Sequence, residues 1–517
     1  MPQPNFLIIM SDQMAGPALP MYGHPVVKTP NLSKLAEEGM VFENAYCNNP
    51  VCAPSRSSMA TGQLSSKIGT YDNAAEFPSS VPTFAHYLRK MGYQTAISGK
   101  MHFVGADQLH GFEERLTTDY YPGGFEWTPD WERPLEDRLA WYHQPDSIRM
   151  AGPCKASMQI DFDNEVCFRA VRKIYDYPRS EDKRPFFLMT SFGHPHDPYN
   201  MTPEFWDMYS DDEIDMPTVG RLPNDKLDPH SYRLRQMCGL LDDEVVSDEM
   251  VRTARHAYYA MISYIDAKVG ELVQALKDTD QYENTVILFT SDHGDMMGER
   301  GLWYKMSFHE WSAKVPLIAA SGGVKHGRVS ENISLLDFVP TMVELATDDA
   351  HPAPDWAMPI DGHSLADVLT TGETRGLSDT IFAEYLGEGV VQPELMIKRG
   401  PFKFIFGPGD PPLLFNLDSD PNELDNLARK PGFGRIVKEF TAEIARQWNV
   451  RELRDKIVAD QKRRHFIAEA MAEGKRSDQW DFVPAPGTGK NYITMDVDLY
   501  NTELPQMWPR PKVDRTT

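Results

Sequence analysis

The sequence predicts an α/β fold whose core is a large, mainly parallel sheet flanked by helices. Short apolar runs at residues 6–10, 94–98, 186–192, 285–290 and 316–320 have the length and flanks of buried parallel strands. Strands covered on both faces read as near-continuous apolar stretches of this kind. Helical patterns alternate with them, as crossover connections between parallel strands require. Thr29-Pro30-Asn31 opens a short helix and Gly39 closes it, by the asymmetry that places proline at helix starts and glycine just past their ends. Ser247 opens a long helix in which Val251, Ala254, Tyr258, Ile262, Ile265, Val269, Leu272 and Leu276 recur at gaps of three and four, a stripe suited to packing on the sheet.

A polar stretch around residues 370–379 marks the end of this domain. Beyond it, runs at 380–385, 394–398 and 402–406 read as strands of a smaller α+β domain, and after about residue 480 the chain becomes rich in Pro, Gly and Trp. The expected division is 1–375, 376–480 and a tail, 481–517, that packs on the site or on a neighbouring subunit. The 517 residues carry a formal net charge of −24, which disfavours nucleic acid and anionic membranes as partners. Five cysteines, Cys47, Cys52, Cys154, Cys167 and Cys238, have neither disulfide-framework nor zinc spacing. No leader or membrane-spanning run is evident, so a cytoplasmic location is expected.

The most informative stretch is Val51-Cys52-Ala53-Pro54-Ser55-Arg56, followed by Thr61-Gly62. Cysteine, then proline, then arginine places a reactive residue at a helix start, with Pro54 at the opening helical position. There, free N–H groups and Arg56 favour an anion; a buried core cysteine is the plain alternative. Asp12-Gln13 follows the first strand and Asp292-His293 follows another. Ligands of open α/β sheets gather at the carboxyl ends of strands, so the two pairs are expected to meet, although an Asp after a strand is often only a helix cap. Lys100 and His102, two apart in an extended segment, point the same way.

Together these motifs resemble the type I sulfatases of the alkaline-phosphatase-like superfamily. The resemblance runs over about residues 4–430 and includes Leu414-Phe415-Asn416-Leu417-Asp418 and Asp420-Pro421-Asn422-Glu423 in the smaller domain. It implies oxidation of Cys52 to formylglycine by a formylglycine-generating system, and a divalent metal held by Asp12, Gln13, Asp292, His293 and the modified Cys52. Ca²⁺ is the first expectation, with Mg²⁺ or Mn²⁺ as alternatives. His293 stands where the family more often has asparagine, and an imidazole tilts the site away from pure Ca²⁺ chemistry. The resemblance also implies that Arg56, Lys100 and Lys305 neutralise a sulfate ester while the hydrated aldehyde attacks sulfur. His196, with Lys305, then protonates the departing alkoxide, and His102 takes the proton of the remaining hydroxyl; His194 is the supporting alternative to His196.

Within the family the likeness is greatest to the choline-sulfatase branch, through Tyr71-Asp72-Asn73-Ala74-Ala75-Glu76, residues 109–119, Trp127-Thr128-Pro129-Asp130 and residues 298–303. Choline O-sulfate is therefore the expected substrate. A quaternary ammonium needs aromatic faces and a carboxylate; Trp127, Trp141, His143, Asn73, Glu384 and Asp498 are the candidates. The alternatives are a phosphonate monoester or phosphodiester hydrolase, a broad arylsulfatase, and an inactive binding protein on the same scaffold. A homo-oligomer, dimer or tetramer, is expected from the tail.

Overall fold

The structure is a computed structural model that describes residues 3–121, 123–133 and 137–473. Its centre is a nine-stranded sheet. Along the main path the strand order is Gly327–Ser334, Met40–Tyr46, Leu317–Ala320, Thr285–Ser291, Asn5–Ser11, Phe186–Ser191, Gln94–Gly99 and Glu114–Arg115. Asn5–Ser11 runs parallel to both neighbours, with Ile8 beside Met189 on one side and Leu288 on the other. Every residue of this strand is buried, as two helical layers over a parallel sheet demand.

The run predicted at 316–320 is a strand, but an antiparallel one, paired with Thr285–Ser291 and Met40–Tyr46. The helical pieces of the connection from Thr285–Ser291 are single turns, Glu299–Gly301 and Glu310–Ala313. Without a full crossover helix the chain returns to the sheet in the opposite sense. Besides the two-residue strands Glu114–Arg115 and Lys314–Val315, two longer strands of this sheet, Met40–Tyr46 and Gly327–Ser334, escape the apolar-run criterion. Glu43 and Asn44 interrupt the first, and the second is an edge strand carrying Arg328, Ser330 and Glu331.

The first helix spans Pro30–Glu38 between Thr29 and Gly39. The long helix spans Asp248–Asp278, and the Ser247 hydroxyl caps it by accepting from the Met250 N–H. Beyond the large sheet, Thr380–Tyr385, Glu394–Arg399, Phe402–Phe406 and Leu413–Asn416 form an antiparallel sheet in chain order. Helices Gly434–Gln447 and Val450–Glu473 follow. Arg464 of the last helix is buried and donates to both carboxylate oxygens of Asp72 at 2.8 and 2.7 Å and to the Thr128 hydroxyl at 3.1 Å. It thereby fixes the segments carrying Asn73 and Trp127. No helix among the described residues is long and apolar enough to cross a membrane. The expected tail and Asp498 lie outside the described residues.

Candidate active site

Cys52 is the first residue of the helix Cys52–Thr61, all of which is buried. Pro54 is thus the third helical residue, not the opening one. The first four N–H groups of a helix lack partners within it, so proline is still tolerated there. The Asn73 side-chain oxygen accepts the Ala53 N–H at 2.9 Å, leaving its amide nitrogen as the group that can face a ligand. Burial first, then the charge of Asp12, pushes the Cys52 thiol up to about 12. It is therefore a neutral thiol at ordinary pH and a poor nucleophile as it stands.

Asp12 and Asp292, one residue past the ends of adjacent strands, meet Cys52 and His293. The ligating atoms of these four residues lie within 4.8 Å of one another, and all four side chains are buried. Cys52 Sγ is 3.2 Å from His293 Nε2 and 3.8 Å from Asp12 Oδ1. His293 Nδ1 donates to the Gly294 carbonyl at 3.0 Å, which leaves the Nε2 lone pair directed at the cluster. Burial lowers this imidazole to about 4, so it is neutral. Burial alone would raise Asp12, but Lys100, His196, Arg56 and His293 outweigh it and hold the carboxyl well below its ordinary range. Two carboxylates and a correctly oriented imidazole fit a divalent cation.

Arg56 is 0 % exposed; its Nε and Nη1 are hydrogen-bonded to protein, and its Nη2 has no hydrogen-bond partner. Nε donates to Asp292 at 2.8 Å, Nη1 to the Lys100 carbonyl at 2.6 Å and the Ser191 hydroxyl at 2.7 Å, and Nη2 lies 3.4 Å from Asp12. These contacts orient the two carboxylates.

Lys100 and His102 do converge on the site, though not along an extended segment. His102 has φ 54° and Gly99 φ 105°. A Cβ at Gly99 would fall 1.8 Å from the Ser191 carbonyl, so only glycine fits. Asp119 holds this turn by accepting the Met101 and His102 N–H groups at 2.9 and 2.8 Å. The Lys100 ammonium binds Asp12 and stands 3.7 Å over the Tyr121 ring. Both ring nitrogens of buried His102 lack partners, and burial, reinforced by Lys100 and Arg56, keeps the ring neutral.

Lys305 Nζ donates to His196 Nε2 and to Gln13 Oε1, each at 2.7 Å. His196 Nδ1 donates to the Asp197 carbonyl at 2.7 Å, so Nε2 is the accepting nitrogen. Burial first, then Lys305, lowers His196 well below its usual value. The proton of this pair therefore rests on Lys305. The Gln13 amide nitrogen donates to Asp295 at 2.6 Å, so the Gln13 side chain bridges Lys305 and Asp295. His194 is turned away onto Asp163 at 2.7 Å. The Tyr121 hydroxyl, 3.2 Å from His196 Nε2, was not anticipated.

The aromatic connection lines the approach. Trp127 lies 5.6 Å from Tyr121 and 6.3 Å from His102, and it stacks 6.5 Å from Trp141. His143 stacks on Tyr304 at 4.3 Å and stands 6.2 Å from His196. Glu384 does not join them. Its carboxylate accepts from the Ser65 hydroxyl, the Ser66 N–H and Trp448 Nε1 at 2.9, 2.5 and 2.8 Å, tying the small sheet to the segment after the nucleophile helix. A second buried carboxylate, Glu388, lies four residues on, within electrostatic reach of Lys305. It is 3 % exposed, its Oε2 has no partner, and burial raises it to about 7. Its charge is felt by Tyr142, and Lys305 acts on it in turn.

The family model named Sulfatase matches residues 4–348. The chain belongs to the sulfatase family. A second family model, the C-terminal region of N-sulphoglucosamine sulphohydrolase, matches residues 298–449 of this sulfatase. Similar relatives include a choline-sulfatase of Rhizobium meliloti (strain 1021), 42% identical over 514 residues, 98% of this chain and 99% of that one. An arylsulfatase of Clostridium perfringens (strain 13 / Type A) is 31% identical over 448 residues, 82% of this chain and 90% of that one. Among solved structures, the phosphonate monoester hydrolases of Agrobacterium radiobacter and Silicibacter pomeroyi share the fold with TM-scores of 0.67 and 0.68 at 24% and 22% identity. They cover 88% and 86% of this chain and 96% and 95% of their own. The protein is thus a sulfatase enzyme; a divalent metal and formylglycine are typical of its family.

Proposed function

We propose that this sulfatase hydrolyses choline O-sulfate to choline and sulfate. The observation that carries the reading is a buried carboxylate with one unpartnered oxygen, Glu388, within electrostatic reach of Tyr142 and Lys305, together with the aromatic cluster of Trp127, Trp141, Tyr142 and His143 beside the Lys305–His196 pair. A quaternary ammonium donates no hydrogen bond and is held by aromatic faces and negative charge. The likeness to the Rhizobium meliloti choline-sulfatase points the same way.

Formylglycine at position 52 would supply the hydrated-aldehyde nucleophile, and a divalent ion on Asp12, Cys52, Asp292 and His293 would polarise the ester oxygens. Arg56 holds the two carboxylates in register for that ion. Lys100 and Lys305 supply positive charge against the sulfate. Lys305, with its proton shared toward His196 Nε2, meets the departing choline oxygen. Neutral His102, whose nitrogens are both free, accepts the proton that must leave the nucleophile before the enzyme is reset.

Kinetics on choline sulfate, an uncharged aryl sulfate and a phenyl phosphonate ester test the substrate. The cationic sulfate is expected to have the highest kcat/KM; preference for either uncharged ester overturns the choline reading. Glu388 gives a sharper prediction. The carboxylate form needed for an ammonium exists above about 7 and is lost as pH falls through it. The KM for choline sulfate should therefore fall between pH 6 and pH 8 and lose that dependence in Glu388→Gln, with KM raised on the order of tenfold.

The metal is proposed as Ca²⁺, with Mn²⁺ accommodated by the imidazole. Chelation should abolish turnover and added Ca²⁺ restore it, whereas His293→Asn should weaken Mn²⁺ rescue more than Ca²⁺ rescue. Equal rescue of both proteins by both ions would show that His293 does not bind the metal. Dimer or tetramer assembly and a cytoplasmic location complete the proposal; mass measured in solution and cell fractionation test them.

A further inference from the structure

Lys305 sits between two non-glycine residues in the left-handed region, Tyr304 at φ 64° and Met306 at φ 74°. Such a backbone persists only where its surroundings over-determine it. Tyr304 is held by its N–H on Asp295 at 3.0 Å, by the Met296 N–H on its carbonyl at 2.6 Å, and by its hydroxyl on the Gln144 carbonyl at 2.5 Å. Met306 is held by its N–H on the Pro50 carbonyl at 3.0 Å and by one side chain: His230 Nε2, 2.7 Å from the Met306 carbonyl. That contact requires His230 Nε2 to donate. His230 lies on the helix Pro229–Met237, is 4 % exposed, and has its Nδ1 3.0 Å from Glu394 Oε2, at the start of the strand Glu394–Arg399.

We propose that His230 is a positioning residue for leaving-group protonation: by fixing the Met306 carbonyl it aims the Lys305 ammonium. The assignment rests on Lys305 meeting the leaving oxygen, as argued above. The rest of the loop has its own anchors, since Lys403 Nζ donates to the Phe308 carbonyl at 2.7 Å and Glu423 accepts the Glu310 N–H at 2.9 Å. Loss of His230 should therefore loosen the aim of Lys305 without releasing the loop.

The test compares choline sulfate, whose alkoxide must be protonated as it leaves, with 4-nitrophenyl sulfate, whose phenolate need not be. In His230→Leu, kcat for choline sulfate should fall at least about tenfold with KM nearly unchanged, while kcat for 4-nitrophenyl sulfate changes less than about threefold. His230→Gln, which keeps a donor at that reach, should recover most of the loss. Equal losses on both esters, no loss, or failure of His230→Gln to recover overturns the proposal. Should His230→Leu not fold, His230→Phe, which fills similar volume without a donor, reads the same contrast, and an equal effect on both esters again overturns it. If the wild-type enzyme does not turn over choline sulfate, the substrate reading fails separately, and any other alkyl sulfate it accepts serves for this comparison.

Discussion

Cys52→Ala is expected to abolish sulfate ester hydrolysis, by roughly 10³-fold or more, because the group that attacks sulfur is made from this side chain. The fold should survive. Cys52 is a small, fully buried residue in a helix tied down by Asn73, Ser55 and Arg56, and trimming one sulfur from such a site costs on the order of 1 kcal/mol. The variant should therefore melt cooperatively and still bind choline sulfate. Burial and Asp12 push the unmodified thiol up to about 12, which makes it a poor nucleophile. Wild-type activity must then track the fraction of Cys52 converted to the aldehyde. Peptide mass spectrometry of preparations with different conversion, set against their kcat, measures that. Normal turnover by Cys52→Ala, or activity in a preparation with no conversion, would refute the nucleophile assignment.

The central strands were readable in the sequence because burial on both faces leaves no room for polar interruption, as in Asn5–Ser11 and Thr285–Ser291. Edge and near-edge strands carry polar residues and hide from that criterion. In the site, the residues that a motif fixes close to a strand end, Asp12, Asp292 and His293, arrive where the topology sends them, and Cys52 meets them. Roles that depend on how loops pack were not readable. Glu384 and Glu388 are both acidic residues at one strand end. The first accepts from Trp448 and the Ser65-Ser66 segment, and the turn that follows carries the second within electrostatic reach of Lys305. Arg56 could be expected at an anion from its position near a helix start, and its guanidinium also lies against two carboxylates, 236 and about 40 residues away. Asp119, Tyr121 and His230 act only through backbone turns and ring contacts, which leave no spacing signature.

Lys305→Met should separate substrates by their leaving groups. Methionine keeps most of the apolar stem and removes the ammonium that donates to His196 and Gln13. General-acid catalysis of this kind is worth about 10²–10⁴-fold, so choline sulfate turnover should fall by that amount. A nitrophenyl sulfate, which departs without a proton, should lose no more than about tenfold, the part due to charge neutralisation at the sulfate. The pH profile should change as well. After burial, Lys305 is the largest influence lowering His196, so its removal lets His196 rise and carry a proton itself. Residual activity on choline sulfate should then increase toward acid pH, where the imidazolium replaces the missing ammonium, while the wild type shows no such rise. A uniform loss on both esters with an unchanged profile would mean that Lys305 only binds sulfate, and that the proton for the departing oxygen comes from elsewhere.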